Sequence, residues 1–180
     1  MEKNSIFVII IRAFLGLFII VLLPFIYTYL TALNPLVYFN VIIWYFFAAF
    51  LIFPASLFFD GKKYKIPLSL LISIVSIFLV YGMKSSIFMA TAMSAIMDDG
   101  SMWLPKVDFG EMFKTLTSLE EYKFKLNFLT EFDTLNLSFK GRKGVDTGAG
   151  FTNFFRIIEC IGIFVIPIYV SLKNKENSAS

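Results

Sequence analysis

Four long apolar stretches constrain this chain more than any other feature of its sequence. They run from about Ser5 to Leu30, Leu36 to Phe59, Ile66 to Met83 and Phe151 to Leu172. A helix needs about 20 mainly apolar residues to cross a bilayer core, and backbone polar groups in lipid must be satisfied within their own segment. The pattern therefore predicts an all-α integral membrane protein with about four transmembrane helices.

Composition supports the same class. Of the 180 residues, 58% are hydrophobic and only 16% are charged, whereas soluble domains average about 25% charged residues. A soluble fold of this length could not bury so many Phe, Ile and Leu side chains. The net charge of +3 is small, and the basic residues are dispersed. The sequence therefore predicts a lipid bilayer and other membrane proteins as partners, and no nucleic acid.

The residue types argue against an enzyme and against a metal or cofactor site. The chain has no histidine, which is the commonest general base and metal ligand, and one cysteine, Cys160, which lies in an apolar run. Asp98 and Asp99 are adjacent, which suits a helix end more than a catalytic carboxylate pair. The glycine-rich residues 141–150 lack the G-K-[ST] ending of a phosphate-binding loop, so a connector is the better interpretation.

Basic residues in the short flanks predict the orientation. Lys3 precedes the first span, three lysines occupy the loop near residue 63, and Lys173 and Lys175 follow the fourth span. Because such flanks stay on the cytoplasmic side, both termini are predicted to be cytoplasmic. The chain then divides into three spans in residues 1–83, an extracytoplasmic segment in 84–150, and a fourth span with a short tail in 151–180. The cysteine-free outer segment favours a bacterial inner membrane.

The outer segment is predicted to contain a helix and a β-hairpin. Ser85 to Met97 is too short to span again, so it is interpreted as an interfacial helix, a re-entrant segment or an extension of the third span. Apolar and polar residues alternate from Tyr122 to Phe128 and again from Thr134 to Lys140. Two runs of period two separated by a short gap are typical of an antiparallel hairpin with Phe124 on its buried face and Lys125 on its exposed face.

Charges inside the apolar stretches provide the candidate site, because a charge at mid-bilayer costs at least about 2.5 kcal/mol. Arg156 and Glu159 are spaced i, i+3 in the fourth stretch and therefore share a helical face. Lys84, Asn40 and Asn153 lie in the outer parts of their stretches and are candidates to join them. Arg12 is expected to reach the cytoplasmic interface with its long side chain.

Two functions fit these features, and a third fits them less well. The first hypothesis is a non-enzymatic subunit of a larger membrane complex that docks through its outer segment and polar fourth helix. The alternative is a small transporter or ion channel with a polar site around Glu159 and Arg156. An enzyme acting on lipid head groups is the third interpretation.

Overall fold

The computed structural model describes residues 2–33, 37–58, 65–97, 105–134 and 148–176, and in these ranges the protein is all-helical without a strand. Its helices are α1 (Glu2–Leu33), α2 (Val37–Phe50), α3 (Ile52–Phe58), α4 (Lys65–Met97), α5 (Phe109–Thr117), α6 (Leu119–Thr134) and α7 (Gly148–Glu176). The prediction of an all-α protein is confirmed for these residues.

Helix α4 is the centre of the molecule. It packs against α1, α3 and α7 and also against the two shorter helices α5 and α6, while α2 packs against α7. The core is apolar and draws on every long helix, with Tyr27 from α1, Phe47 from α2, Val80 from α4 and Ile163 from α7 all buried. The close packing of these side chains gains dispersion energy, which helps to hold the described helices together.

Within the described residues, two helices are long and apolar enough to cross a membrane. Their apolar portions are Ile6–Thr31 in α1 and Pro67–Met93 in α4, and a shorter apolar stretch covers Ile42–Ala55. The two differ in burial: 6% of the best window in α1 is buried within the molecule, against 56% in α4. Length and composition therefore indicate membrane association, with α4 as the inner helix and α1 as an outer one.

Proline explains the break between α2 and α3. Pro54 lies in the first turn of α3, where its missing N–H and its ring oppose continuation of the helix from α2. At the break, the Leu51 amide still donates to the Phe47 carbonyl at 3.2 Å. Pro24 and Pro167 lie inside α1 and α7, which remain continuous.

Helix α4 continues past the predicted end of the third span. Ser85 to Met97 prolongs it without interruption, so of the three interpretations of this stretch the structure has the extension. Beside the C-terminal half of α4 lie α5 and α6, joined at Ser118 as a helical hairpin, which we call the α5–α6 hairpin.

The predicted β-hairpin is wrong for its first run, because Tyr122 to Phe128 lies in the middle of α6. Its second run, beyond Thr134, falls outside the described residues. The predicted faces are also reversed: Phe124 is 58% exposed, while Lys125 is 3% exposed. Leu, Glu and Lys are strong helix formers, and Ser118 accepts a hydrogen bond from the Glu121 amide at 3.4 Å, so local preference favours a helix here.

Candidate functional site

The carboxylate of Glu159 is the polar centre of the bundle. Tyr27 of α1 donates its hydroxyl to Oε1. Tyr81 of α4 donates to Oε2 at 3.0 Å, and the Lys84 ammonium lies 3.7 Å from the same oxygen. The Glu159 side chain is 13% exposed. One carboxylate therefore joins α7 to α1 and α4, with Lys84 as its counter-charge.

The backbone around Glu159 joins a fourth helix to this centre. Trp44 of α2 donates its indole N–H to the Glu159 carbonyl at 3.1 Å. Its ring lies directly over Gly162, where an added Cβ would come 1.7 Å from the Trp44 Cζ2 atom. Glycine is therefore required for α2 and α7 to approach this closely. We call Tyr27, Trp44, Tyr81, Lys84 and Glu159 the Glu159 clasp.

The clasp is supported by neighbouring contacts. The Tyr27 ring stacks on Phe47 with centroids 4.4 Å apart, which fixes its position beside the carboxylate. Tyr81 lies 3.3 Å from the Arg156 carbonyl and accepts a contact from the Cys160 thiol at 3.5 Å. Cys160 is a free thiol. Tyr27, Tyr81 and Trp44 are thus each held by more than their hydrogen bond to Glu159.

The structure brings together some of the predicted site residues. Lys84 and Glu159 meet, and Arg156 lies on the same helix with its carbonyl next to Tyr81. The Arg156–Glu159 ion pair stays a prediction. Arg12 lies on the exposed surface of α1, ten residues or more from the clasp along that helix. The side chains of Asn40 and Asn153 lie outside the described part of the structure.

Three clasp residues were missed by sequence reasoning. Tyr27, Trp44 and Tyr81 lie within apolar stretches, where aromatic side chains are ordinary. A usable signal exists, because a buried Tyr or Trp needs a partner for its polar atom, and Glu159 is an acceptor deep in an apolar stretch. The pairing itself depends on how the helices meet.

A row of buried hydroxyl side chains lies on α4 on the chain-start side of Tyr81. Ser69, Ser73 and Ser76 are spaced i, i+4, i+7 and are fully buried. The hydroxyls of Ser73, Ser76 and Thr28 of α1 have no hydrogen-bond partner. Unpartnered polar groups are uncommon in protein interiors, so this row is a second feature that a function has to explain.

A second buried charge lies in the α5–α6 hairpin. The Lys125 ammonium donates to Glu111 Oε2 and to Thr115 Oγ1, both at 2.8 Å, and the Thr115 hydroxyl donates to the Glu111 carbonyl at 2.6 Å. The hydrogen bond from Lys125, followed by its charge, holds the pKa of Glu111 below its ordinary value. Nearby, a hydrogen bond from Lys114 to Glu121, 3.1 Å apart, raises the pKa of Lys114. These contacts hold α5 and α6 together.

Tyr122 fixes the hairpin to α4. Its ring stacks on Phe78 with centroids 4.4 Å apart, and its hydroxyl donates to the Phe78 carbonyl at 3.1 Å. Burial raises the pKa of Tyr122 to about 12, with a smaller contribution from Cys160. Gly82 makes the approach possible, because a Cβ there would come within 2.8 Å of both Leu116 and Tyr122.

The described residues form no metal site, and comparisons with known proteins found no match. Within the described ranges, no group of three or more His, Cys, Asp or Glu side chains is placed to hold a metal ion. No protein-family model, curated protein or solved structure matches the chain.

Proposed function

We propose that the protein is a non-enzymatic integral membrane subunit with four spans, in which the Glu159 clasp fixes the bundle and the exposed surface of α1 contacts another membrane protein. In this arrangement α1 and α4 are two of the spans, α2 with α3 forms an interrupted one, and α7 is the fourth. Helix α7 has 29 residues, about 43 Å at 1.5 Å per residue, which is enough to cross. Both termini are then cytoplasmic and the α5–α6 hairpin lies outside, in a bacterial inner membrane.

The observation that carries a structural role for Glu159 is that this chain itself supplies donors to both carboxylate oxygens. Tyr27 contacts one oxygen, and Tyr81 and Lys84 contact the other. Both carboxylate oxygens are therefore engaged with α1 or α4, as expected for a polar contact that specifies how helices pack in lipid.

The surface of α1 favours a partner protein. Each side chain from Ile6 to Ile11 is exposed, and six consecutive residues at 100° each cover the whole circumference of a helix. Gly16 meets Phe58, the last residue of α3, so Ile6 to Ile11 extends beyond the end of α3. A subunit interface along this end of α1 accounts for six apolar side chains that the described helices leave exposed.

The buried hydroxyl row favours the alternative, a small transporter or channel. Ser73 and Ser76 lie on the buried face of α4, on the N-terminal side of the clasp residue Tyr81. Their unpartnered hydroxyls suit a path for water or protons. A Ser73→Ala, Ser76→Ala variant separates the two functions. Removing unpartnered hydroxyls from a structural core is nearly neutral for stability, whereas removing them from a conducting path abolishes transport.

Native mass determination after mild detergent extraction tests the proposal. We expect a discrete species heavier than the 20.6 kDa chain that contains a second polypeptide. Phe14→Ser on α1 should release this polypeptide, because Phe14 is 73% exposed on the proposed interface. Phe154→Ser on α7 is the matched control, exposed to 57%, and should retain it.

Two results would count against a subunit. A monomer or homo-oligomer without a second polypeptide contradicts the proposal. If that homo-oligomer also moves ions or protons in proteoliposomes, and the double serine variant does not, the transport alternative replaces it.

A further inference from the structure

Two cavities of different character meet at Phe109, the first residue of α5. The smaller cavity, of about 240 Å³, lies between α1, α4 and α5, and its lining side chains are all apolar, including Phe18, Phe25, Met83 and Met112. The larger, of about 780 Å³, lies between α4, the segment before α5, and α6. Phe109 lines both. Ligand pockets in proteins run from about 300 to 1,000 Å³, so the pair is large enough for an organic ligand.

The larger cavity is amphiphilic. Its charged residues come from the segment before α5 and from the hairpin, and its remaining wall is mainly the methionine-rich outer half of α4. The charged lining residues are Lys106, Asp108, Glu111 and Lys125, and the α4 wall includes Met89 and Met93. Two basic and two acidic side chains leave the lining without net charge. Such a lining complements a head group that carries both signs better than one that carries a single negative charge.

The two cavities are ordered along the proposed membrane normal. The apolar cavity contacts α4 at Met83, and the charged cavity contacts it from Ser86 to Met93. Met93 lies about 15 Å further out than Met83 at 1.5 Å per residue. The apolar cavity therefore faces the acyl region of the outer leaflet, and the charged cavity faces the head-group layer. The order matches that of a lipid molecule in the same leaflet.

We propose that these two cavities form a binding site for one zwitterionic phospholipid, with its head group among Lys106, Asp108 and Glu111 and an acyl chain along Phe109 into the apolar cavity. This inference rests on the proposed membrane embedding and not on the proposed subunit role. The phosphate faces the lysine side and the amine faces the carboxylates. Phe109, which also stacks on Phe25 with centroids 5.9 Å apart, lies between the charged cavity and the apolar cavity.

Native mass spectrometry of the detergent-purified chain tests the site. The protein is mixed with equal amounts of phosphatidylethanolamine and phosphatidylglycerol of the same acyl chains, and retained adducts are counted. We expect one retained phosphatidylethanolamine per chain, preferred at least about fivefold over phosphatidylglycerol. Equal retention, a preference for phosphatidylglycerol, or no retained lipid would each overturn the proposal.

Matched variants locate the lipid. Phe109→Ala opens the shared wall and should reduce retention at least about fivefold. Phe113→Ala, one turn along α5 and exposed to 70%, should leave retention unchanged because Phe113 lines neither cavity. Lys106→Glu removes the partner of the phosphate and should reduce retention of phosphatidylethanolamine at least about fivefold, while Lys123→Glu on the exposed side of α6 should leave it unchanged. Equal effects within either pair would overturn the placement.

Phosphoethanolamine without acyl chains should not compete, and competition by it would overturn the role of the apolar cavity. Two further outcomes separate the lipid site from the proposed function. Solubility of the chain without detergent would defeat the membrane proposal itself. A detergent-extracted chain in complex with a partner but without retained lipid defeats the lipid site alone.

Discussion

Glu159 and Lys125 are both largely buried charges, but they obtain their partners in different ways. Lys125 is satisfied by Glu111 and Thr115, which lie 14 and 10 residues before it in the same hairpin. Glu159 is satisfied by Tyr27, 132 residues away, and by Tyr81, 78 residues away. The Lys125 cluster therefore forms with a local hairpin, whereas the Glu159 clasp requires the complete bundle. Replacing Lys125 should therefore destabilise the hairpin alone, whereas replacing Glu159 should destabilise the whole bundle.

Replacing Glu159 by Leu should have the largest effect. It leaves two tyrosine hydroxyls without their acceptor and Lys84 without its counter-charge. We expect a loss of roughly 3 kcal/mol in the free energy of unfolding, at the low end for a broken buried pair, because Lys84 keeps 32% of its side chain exposed. Titration with SDS in mixed micelles, followed by circular dichroism, measures it. Glu120→Leu on the exposed side of α6 is the control, and equal stability of the two variants would argue against the clasp.

Gly162→Ala should cause the second-largest loss in the free energy of unfolding. The new methyl group would overlap the Trp44 ring, so α2 and α7 must separate or the indole must rotate away from the Glu159 carbonyl. Overpacking of this kind costs about 1–3 kcal/mol. The same SDS titration measures it, and Gly110→Ala on the exposed side of α5 should change stability by less than about 0.5 kcal/mol. Similar losses for both variants would mean that the α2–α7 approach is not tight.

Lys125→Met should have a smaller and confined effect. The Glu111 side chain is 48% exposed and can regain water when its partner is removed. We expect a loss of about 1 kcal/mol, the usual net value of a hydrogen-bonded contact. Hydrogen exchange should quicken in α5 and α6 and stay unchanged in α1 and α7. Lys123→Met on the same helix is the control, and faster exchange throughout the bundle would contradict a local role.

The smallest expected effect is the dependence of the stability of the α5–α6 hairpin on pH. Lys125 lowers the pKa of Glu111, so the folded hairpin favours the ionised carboxylate. A lowered pKa stabilises the fold above the ordinary value of 4.5, and the stabilisation is lost as pH falls below it through the folded value. The protection of the α5 and α6 amides, corrected for the intrinsic pH dependence of exchange, should therefore fall as the pH drops below about 4.5. The Lys125→Met variant should lack most of this dependence, and an unchanged profile would show that the pair does not hold the hairpin.

The sequence predicts the helical class and part of the site, and the limits have physical causes. Lys84 and Glu159 were identifiable because intramembrane charge is costly and needs a partner. Their aromatic partners were not, since Tyr27, Trp44 and Tyr81 come from distant helices, and periodicity carries no information on which helices meet. The serine row was likewise visible only once the inner face of α4 was known.

The α5–α6 hairpin was mispredicted because a seven-residue alternation outweighed helix-capping signals. Two capping boxes were present in the sequence, one from Asp108 to Glu111 and one from Ser118 to Glu121. Asp108 accepts a hydrogen bond from the Glu111 amide at 3.0 Å, as such a box requires. The burial of Lys125, which the alternation placed in solvent, follows from the period of the helix.

A double-mutant cycle between Lys84 and Glu159 tests the clasp most directly. The free energy of unfolding is measured for the native chain, Lys84→Met, Glu159→Gln and the double variant in the same micelles. If the two side chains stabilise the bundle as a pair, the double variant loses less than the sum of the single losses, by more than about 1 kcal/mol. Losses that add within about 0.3 kcal/mol would contradict the clasp as an ion-paired contact between α4 and α7.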